Sequence, residues 1–141
     1  MAESLVDTNV LVYVEDPRDT AKQAQARDVL GALLEAGEAV VSVQCLSEFF
    51  SVATRRLHEP LTVGEASARL RQYIRLCRTL DVTRGVLMEA CEGVARHQLQ
   101  WWDALIWAAA RVNGIGLILT EDQDDGRVIE GVRYRNPFAR V

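Results

Sequence analysis

The chain has 141 residues and a mass of 15.7 kDa, so we predict one domain over residues 1–141. Hydrophobic residues make up 49% and charged residues 26%, a composition that excludes collagenous and disordered chains. The formal net charge of −4 argues against a protein that holds nucleic acid by bulk electrostatics. It does not exclude a site where metal ions reverse the local charge.

Neither a membrane span nor a secretory signal is predicted. The longest apolar run, Trp101–Val112, is too short and is interrupted by Asp103 and Arg111. The three cysteines have no metal-ligand spacing, so we expect reduced, mostly buried thiols. Together these features predict a cytoplasmic protein.

The first third of the chain alternates between predicted strands and helices. Ser4–Val6 is typical of a short buried strand, and Val10–Glu15 is compatible with a strand or a short helix. The helical spacing of apolar residues predicts a helix over Thr20–Ala36 that ends at Gly37. Ala39–Val43 is then predicted as a second buried strand.

The same alternation continues to the end of the chain. A helix follows the second strand and runs towards Arg55, capped by Ser42 or Ser47. Thr62 and Glu65 have the spacing of a capping box, which predicts a helix that continues to Cys77. The remaining predicted elements are a strand at Leu80–Val82, helices at Leu87–His97 and Trp101–Val112, and strands at Gly116–Thr120 and Val132–Arg135.

The strands are short apolar runs without period-two alternation, as in a parallel sheet covered on both faces. We therefore predict an α/β fold: a three-layer α/β/α domain whose central parallel sheet has four to five short strands. In such sheets the functional site lies at the carboxyl ends of the strands. This rule selects Asp7, the segment Ser42–Glu48 and the segment Thr120–Asp125.

Four acidic residues stand at positions where apolar or neutral residues are expected. They are Asp7 after the first strand, Glu48 in the following helix, Asp103 in the first turn of the most apolar helix, and Asp122 after the fourth strand. Each alone has a structural interpretation as a helix cap, a solvated side chain or a turn residue. Acids gathered without adjacent bases repel one another unless a cation lies among them, and Mg²⁺ and Mn²⁺ prefer such oxygen ligands.

The ordered set of these motifs resembles the PIN domain over essentially the whole chain, from Leu5 to Phe138. The resemblance is carried by Asp7-Thr8-Asn9, Ser42 with Glu48, Trp102-Asp103-Ala104-Leu105-Ile106 and Leu119-Thr120-Glu121-Asp122. The ending, with Asp125-Gly126, Gly131-Val132-Arg133 and Asn136-Pro137-Phe138, is similar to the VapC branch, the toxins of bacterial toxin–antitoxin pairs.

The resemblance implies a metal-dependent endoribonuclease in which Asp7, Glu48, Asp103 and Asp122 hold Mg²⁺ or Mn²⁺ and a metal-activated water cleaves RNA. It implies supporting hydrogen bonds from Thr8, Asn9 and Thr120, with Asp125 as an outer participant. It also implies a VapB-type antitoxin as partner and a homodimer.

Four arginines are candidate RNA contacts: Arg55 after the Glu48 helix, and Arg71, Arg75 and Arg78, which share a face if they lie on one helix. The three tryptophans, Trp101, Trp102 and Trp107, favour packing over base stacking, with Trp101 expected to be the most exposed. His58 and His97 are expected to be structural or on the surface.

Three other interpretations remain open. A Mg²⁺-binding receiver module would need a lysine late in the sheet, and the only lysine is Lys22, on an early helix. A phosphotransferase with Asp7 as nucleophile would usually have a second acid two residues on, where this chain has Asn9. A catalytically inactive PIN-like binding domain would not need the complete set of four acids.

Overall fold

The computed structural model describes residues 2–139, which form six helices and six strands. In chain order they are β1 (Ser4–Val6), α1 (Thr8–Glu15), α2 (Thr20–Ala36), β2 (Ala39–Ser42), α3 (Val43–Arg55), α4 (Val63–Leu76), β3 (Arg78–Leu80), α5 (Arg84–His97), α6 (Trp101–Val112), β4 (Leu117–Leu119), β5 (Val128–Ile129) and β6 (Val132–Arg135).

The six strands form one sheet in the order β3-β2-β1-β4-β6-β5. All neighbouring pairs are parallel except β5 and β6, which are antiparallel. In the centre, Leu5 of β1 is in register with Val40 of β2 and with Ile118 of β4. The strand order reverses at β1 and β4, so the loops that leave these strands border the crevice where ligands bind in such sheets.

The two faces of the sheet bury separate cores. Successive side chains of a strand point to opposite faces. One face packs against α5 and α6, and the other packs against α1, α2, α3 and α4. The first core contains Leu5, Val40 and Ile118, and the second contains Val6, Val41 and Leu119. The predicted three-layer α/β/α arrangement is therefore confirmed.

Polar residues at the strand ends decide where the first helices begin. The carboxylate of Asp7 accepts a hydrogen bond from the Thr8 backbone N–H, and the chain turns directly from β1 into α1. The ambiguous segment Val10–Glu15 is consequently helical. Ser42 caps α3 by accepting from the Cys45 backbone N–H, which ends the second strand one residue earlier than predicted. Both turns occur at the carboxyl edge of the sheet.

At the sheet edges, one predicted strand has the wrong limits and one strand was not predicted. The third strand is Arg78–Leu80 and not Leu80–Val82, because α4 ends at Leu76 and the chain joins β2 at once. The two-residue strand β5 was not predicted and gives six strands, of which five are parallel.

No helix within residues 2–139 is long and apolar enough to cross a membrane. The thiols of Cys45 and Cys77 are free and buried, as expected, whereas the free thiol of Cys91 is exposed.

Candidate active site

The fold brings the four predicted carboxylates to one cavity of about 450 Å³ at the carboxyl edge of the sheet. Asp7 leaves β1, Glu48 lies in α3 after β2, Asp103 is the third residue of α6, and Asp122 follows β4. We refer to these side chains as the four carboxylates.

Asp7 is the most deeply placed of them, with only 6% of its surface exposed. Its Oδ1 accepts a hydrogen bond from the Thr8 backbone N–H at 2.7 Å, and its Oδ2 accepts one from the Thr120 hydroxyl at 2.8 Å. The Cys45 thiol donates a weaker bond to Oδ1 at 3.7 Å. All three donors are neutral, so Asp7 is oriented without being neutralised.

Glu48 is held in the same way from two sides. The Thr8 hydroxyl lies 3.2 Å from Glu48 Oε2, and the Gln44 side-chain amide donates to Glu48 Oε1 at 3.1 Å. The same amide also donates to the backbone carbonyl of Trp102 at 3.1 Å. Gln44 therefore links α3 to the beginning of α6, next to Asp103.

Thr120 and Asn9 connect the remaining side of the site. The Asn9 amide donates to Asp122 Oδ2 at 3.0 Å and to the Thr120 hydroxyl at 3.0 Å. That hydroxyl also accepts from the Asp122 backbone N–H at 3.1 Å. Asp103 accepts a bond from the Gln123 side-chain amide at 3.2 Å. Thr8, Asn9 and Thr120, the three predicted supporting residues, each donate a side-chain hydrogen bond to one of the four carboxylates.

The cavity contains two kinds of acid, which differ in their partners. Asp16 is paired with Arg18 at 3.1 Å, and Glu121 is paired with Lys22 at 2.8 Å. Within residues 2–139, none of the four carboxylates has a basic partner. The unpaired set is therefore specific to these four positions and is not a general property of the cavity.

The pKa shifts of Asp7, Asp103 and Asp16 follow this division. Burial raises the pKa of Asp7 to about 6, and the nearby charges of Asp122 and Glu48 add to the effect, although the bonds from Thr120 and Thr8 oppose it. Burial and the same two charges also raise the pKa of Asp103. The hydrogen bonds from Arg18 instead lower the pKa of Asp16.

These residues fit a hard divalent cation by their chemistry, because carboxylate oxygens are the ligands that such ions prefer. Within residues 2–139, no group of three or more His, Cys, Asp or Glu side chains already has the arrangement of a metal site. Asp7 and Asp103 also line a small second cavity together with Tyr134. Within residues 2–139, the buried Tyr134 hydroxyl has no hydrogen-bond partner, so it is available to donate to a polar ligand in this small cavity.

Asp125, predicted as an outer participant, is not beside the four carboxylates. It is exposed, and its Oδ1 accepts a hydrogen bond from the Asn136 backbone N–H at 2.9 Å, which secures the loop that follows β6. It lines neither the main cavity nor the small one.

None of the four arginines proposed as RNA contacts lines the main cavity; Arg18 and Arg56 do. Arg55, Arg71 and Arg75 are exposed elsewhere. The shared helical face predicted for Arg71, Arg75 and Arg78 is wrong, because Arg78 lies in β3 and donates to Glu3 and to the Asn113 carbonyl. The spacing of Asp16 and Arg18 in the sequence indicates that they form a local ion pair. It does not indicate that this pair lies at the cavity.

The tryptophans also differ from expectation. Trp101 is partly buried against the core, whereas Trp102 is 56% exposed and lines the cavity beside Asp103. Trp107 is fully buried and donates to the Ile129 carbonyl at 3.1 Å, as expected of a core residue. His97 is structural, bonded to Glu130 at 2.7 Å.

Comparison with known proteins supports the same family as the sequence motifs. Similar solved structures include a toxin–antitoxin complex from Klebsiella pneumoniae (18% identity, 96% of this chain and 98% of that chain, TM-score 0.71) and a DNA-bound VapBC from Salmonella typhimurium (17%, 97% and 99%, 0.68). Another is Mycobacterium tuberculosis VapC20, described as a Sarcin-Ricin loop cleaving toxin (21%, 82% and 87%, 0.64).

At these identities the likeness concerns the fold. A comparison with curated proteins finds no significant match. The family model of the PIN domain, however, matches residues 4–130, which include all four carboxylates. The chain therefore belongs to the PIN domain family.

Proposed function

We propose that this chain is a metal-dependent endoribonuclease that acts as the toxin of a toxin–antitoxin pair. The observation that carries the proposal is the set of four carboxylates on one cavity, each held only by neutral donors, in a chain of the PIN domain family. Such a set retains its negative charge, and a cation can neutralise it without displacing a resident base.

The four carboxylates, Asp7, Glu48, Asp103 and Asp122, would hold Mg²⁺ or Mn²⁺. When bound, such an ion activates a water molecule and stabilises the charge on the leaving oxygen of a phosphodiester. The pKa values of Asp7 and Asp103 are raised by burial and by their acidic neighbours, so a neighbouring positive charge would stabilise the ionised form of both.

The residues around the carboxylates fix their directions. Thr120 donates to Asp7 and accepts from Asn9, so one hydroxyl joins the acids after β1 and β4. Gln44 joins Glu48 to the start of α6. Loss of an orienting bond of this kind typically lowers metal affinity or activity by about 10- to 100-fold.

The partner side of the proposal comes from the relatives. Proteins of the same fold include toxin–antitoxin complexes, two of them bound to DNA and named VapBC. By this likeness we propose a VapB-type antitoxin as the partner of this chain, and a homodimer as its own assembly. RNA is the proposed substrate, as for the relative described as cleaving the Sarcin-Ricin loop.

The receiver-module alternative loses support from the position of Lys22. Its ammonium group donates to Glu121 at 2.8 Å and to the Tyr13 hydroxyl at 3.2 Å, and not to any of the four carboxylates. Glu48 and Asp103 would also have no role in such a module.

The test is cleavage of cellular RNA by the purified protein with Mg²⁺, with Mn²⁺ and with EDTA. We expect cutting with either metal, none with EDTA, and none with Asp7→Asn or Asp103→Asn. Asp28→Asn is the matched control, since this exposed carboxylate of α2 lies outside the cavity. Expression of the wild type, but not of Asp7→Asn, should arrest growth.

Two results would contradict the proposal. Near-wild-type cutting by Asp7→Asn would show that the four carboxylates are not the catalytic site. Absence of cutting of every RNA, with metal binding retained in calorimetry, would favour an inactive PIN-like binding domain.

A further inference from the structure

A second groove, of about 690 Å³, opens beside the main cavity, and we call it the side groove. It is bounded by the beginning and middle of α3, by Val82 and by the start of α6. Four residues line both spaces, so the two are continuous: Glu48, Val52, Arg56 and Trp102. A chain-like ligand that reaches the four carboxylates can therefore extend into the side groove.

Trp102 forms an aromatic wall at this junction. Its side chain is 56% exposed, and within residues 2–139 its indole N–H has no hydrogen-bond partner. Trp107, one helical turn and a half further on, is fully buried and does donate. The backbone of Trp102 is secured by Gln44, which also holds Glu48. The exposed ring thus lies next to the proposed catalytic residues, on a stretch of backbone that Gln44 holds.

Arg56 supplies a cation at the same junction. It ends α3, where its backbone N–H donates to the Val52 carbonyl at 2.8 Å. In the described part of the chain, its guanidinium has no hydrogen bond or ion pair. Arg18, the other arginine on the main cavity, is already paired with Asp16. Arg56 is therefore the arginine at the site whose charge is available to a ligand.

An exposed indole and an available arginine on a groove that also contains serines match the chemistry of a nucleotide. Aromatic rings stack on bases of any sequence, and arginine binds phosphate oxygens in a bidentate manner. The polar lining, from the exposed Ser47 and Ser51, can hydrogen-bond a base edge or a ribose. A purely apolar partner would leave Arg56 and these groups without partners.

We propose that the side groove binds a nucleotide of single-stranded RNA next to the scissile phosphate, with the base stacked on Trp102 and a backbone phosphate bound by Arg56. The proposal rests on the proposed function, because it takes the four carboxylates as the place of cleavage. It assigns substrate binding to Arg56 and Trp102 rather than to the arginines selected from the sequence.

The experiment measures binding of a fluorescein-labelled single-stranded RNA of about 12 nucleotides, a length within the usual range of single-strand sites. It uses Asp7→Asn protein in Mg²⁺, so that the probe stays intact. We expect Trp102→Ala to weaken binding roughly tenfold or more, Trp102→Tyr to restore most of it, and Trp102→Leu to restore little. Met88→Ala, at an equally exposed apolar residue of α5, is the control and should leave binding unchanged.

Two further measurements separate stacking from charge. With an abasic ribose–phosphate oligomer as the probe, Trp102→Ala should have no effect, because no base is present to stack. Arg56→Ala should flatten the dependence of log Kd on log salt by about 0.7, which is the contribution of one phosphate neutralised on a single strand. Arg133→Ala, an exposed arginine of β6, should leave that slope unchanged. In the active protein, Trp102→Ala should raise KM and leave kcat nearly unchanged.

Equal binding by wild type and Trp102→Ala would overturn the inference, as would full restoration by Trp102→Leu. A change from dimer to monomer in Trp102→Ala without any change in RNA binding would overturn it too, and would assign the groove to contact between copies of the chain. If the protein cleaves RNA but its RNA binding does not depend on Trp102, only the side-groove inference is refuted and the nuclease proposal stands. Binding that depends on Trp102, with no cleavage by the wild type, refutes the nuclease proposal and supports the groove.

Discussion

Replacing Asp7 with asparagine should change the pH dependence of stability in a way that isolates this one carboxylate. Asp7 is buried, and burial is the largest cause of its pKa of about 6, against an ordinary value of 3.8. The folded protein therefore binds the Asp7 proton more tightly than the unfolded chain does. In EDTA, the stability associated with protonated Asp7 is fully present below pH 3.8 and is lost as the pH rises through about 6.

The size of the effect follows from the displacement of the pKa. A rise from 3.8 to about 6 corresponds to about 3 kcal/mol of unfolding free energy. Asparagine cannot ionise, but the NH₂ group that takes the place of Oδ2 cannot accept the hydrogen bond that Thr120 donates there, and losing this bond costs about 1 kcal/mol. We therefore expect Asp7→Asn to be about 1 kcal/mol less stable than wild type at low pH and about 2 kcal/mol more stable at neutral pH.

The assay is urea unfolding of both proteins in EDTA at several pH values between about 3.5 and 7.5, a range that spans both pKa values. The difference between the two proteins cancels the contributions of titrating groups that are not coupled to Asp7, such as Asp16, whose pKa is lowered. Asp28→Asn, which makes the same substitution at an exposed carboxylate of α2, is the control for the substitution itself. We expect the unfolding free energy of Asp7→Asn minus that of the wild type to rise with pH. A difference that stays flat or falls would refute the argument that ionising the buried Asp7 destabilises the fold.

Three further predictions concern other parts of the molecule. Saturating Mg²⁺ or Mn²⁺ at about a hundred times its Kd should add about 2.7 kcal/mol of stability, seen as a rise in Tm, and no rise at millimolar metal would contradict a metal site. Thr120→Val should lower metal-dependent RNA cleavage roughly tenfold or more, whereas Thr120→Ser should retain it, because only the hydroxyl donates to Asp7. Equal activity of the two variants in a kinetic assay would exclude a role for this hydrogen bond. Gly93→Ala should destabilise the fold by roughly 1–3 kcal/mol in urea unfolding, since its Cβ would lie 2.7 Å from the Trp107 ring, whereas Gly85→Ala in the same helix should not.

The centre of the sheet could be predicted from the sequence, but its edges could not. β1, β2 and β4 have neighbours on both sides and are covered by helices on both faces, so they are short continuous apolar runs. β3 pairs only with β2, and of its three residues only Leu80 is buried. β5 has two residues and lies at the opposite edge. Edge strands with so little buried surface carry no apolar pattern, and tertiary pairing alone decides their limits.

The positions of the four acids could be predicted from the sequence, but the exposed aromatic side chain beside them could not. The position of each acid relative to a strand end or a helix start is a local property, which the sequence shows. The exposure of Trp102 rather than Trp101 depends on the rotation of α6 about its axis. Both neighbours are aromatic, so the sequence has no polar signal at this point to indicate that rotation. Whether Arg55 or Arg56 lines the main cavity depends in the same way on how α3 ends.

The arrangement of charge within the cavity is a physical reason to connect the fold with cation-dependent chemistry. The chain has bases available there, since Arg18 neutralises Asp16 and Lys22 neutralises Glu121. The four carboxylates receive hydroxyl, amide, thiol and backbone donors instead, which fix direction but leave the net charge in place. A carboxylate already paired with arginine would require a cation to displace that arginine. Neutral donors remove this competition, and relief of the electrostatic repulsion among the four would contribute to the free energy of binding the proposed cation.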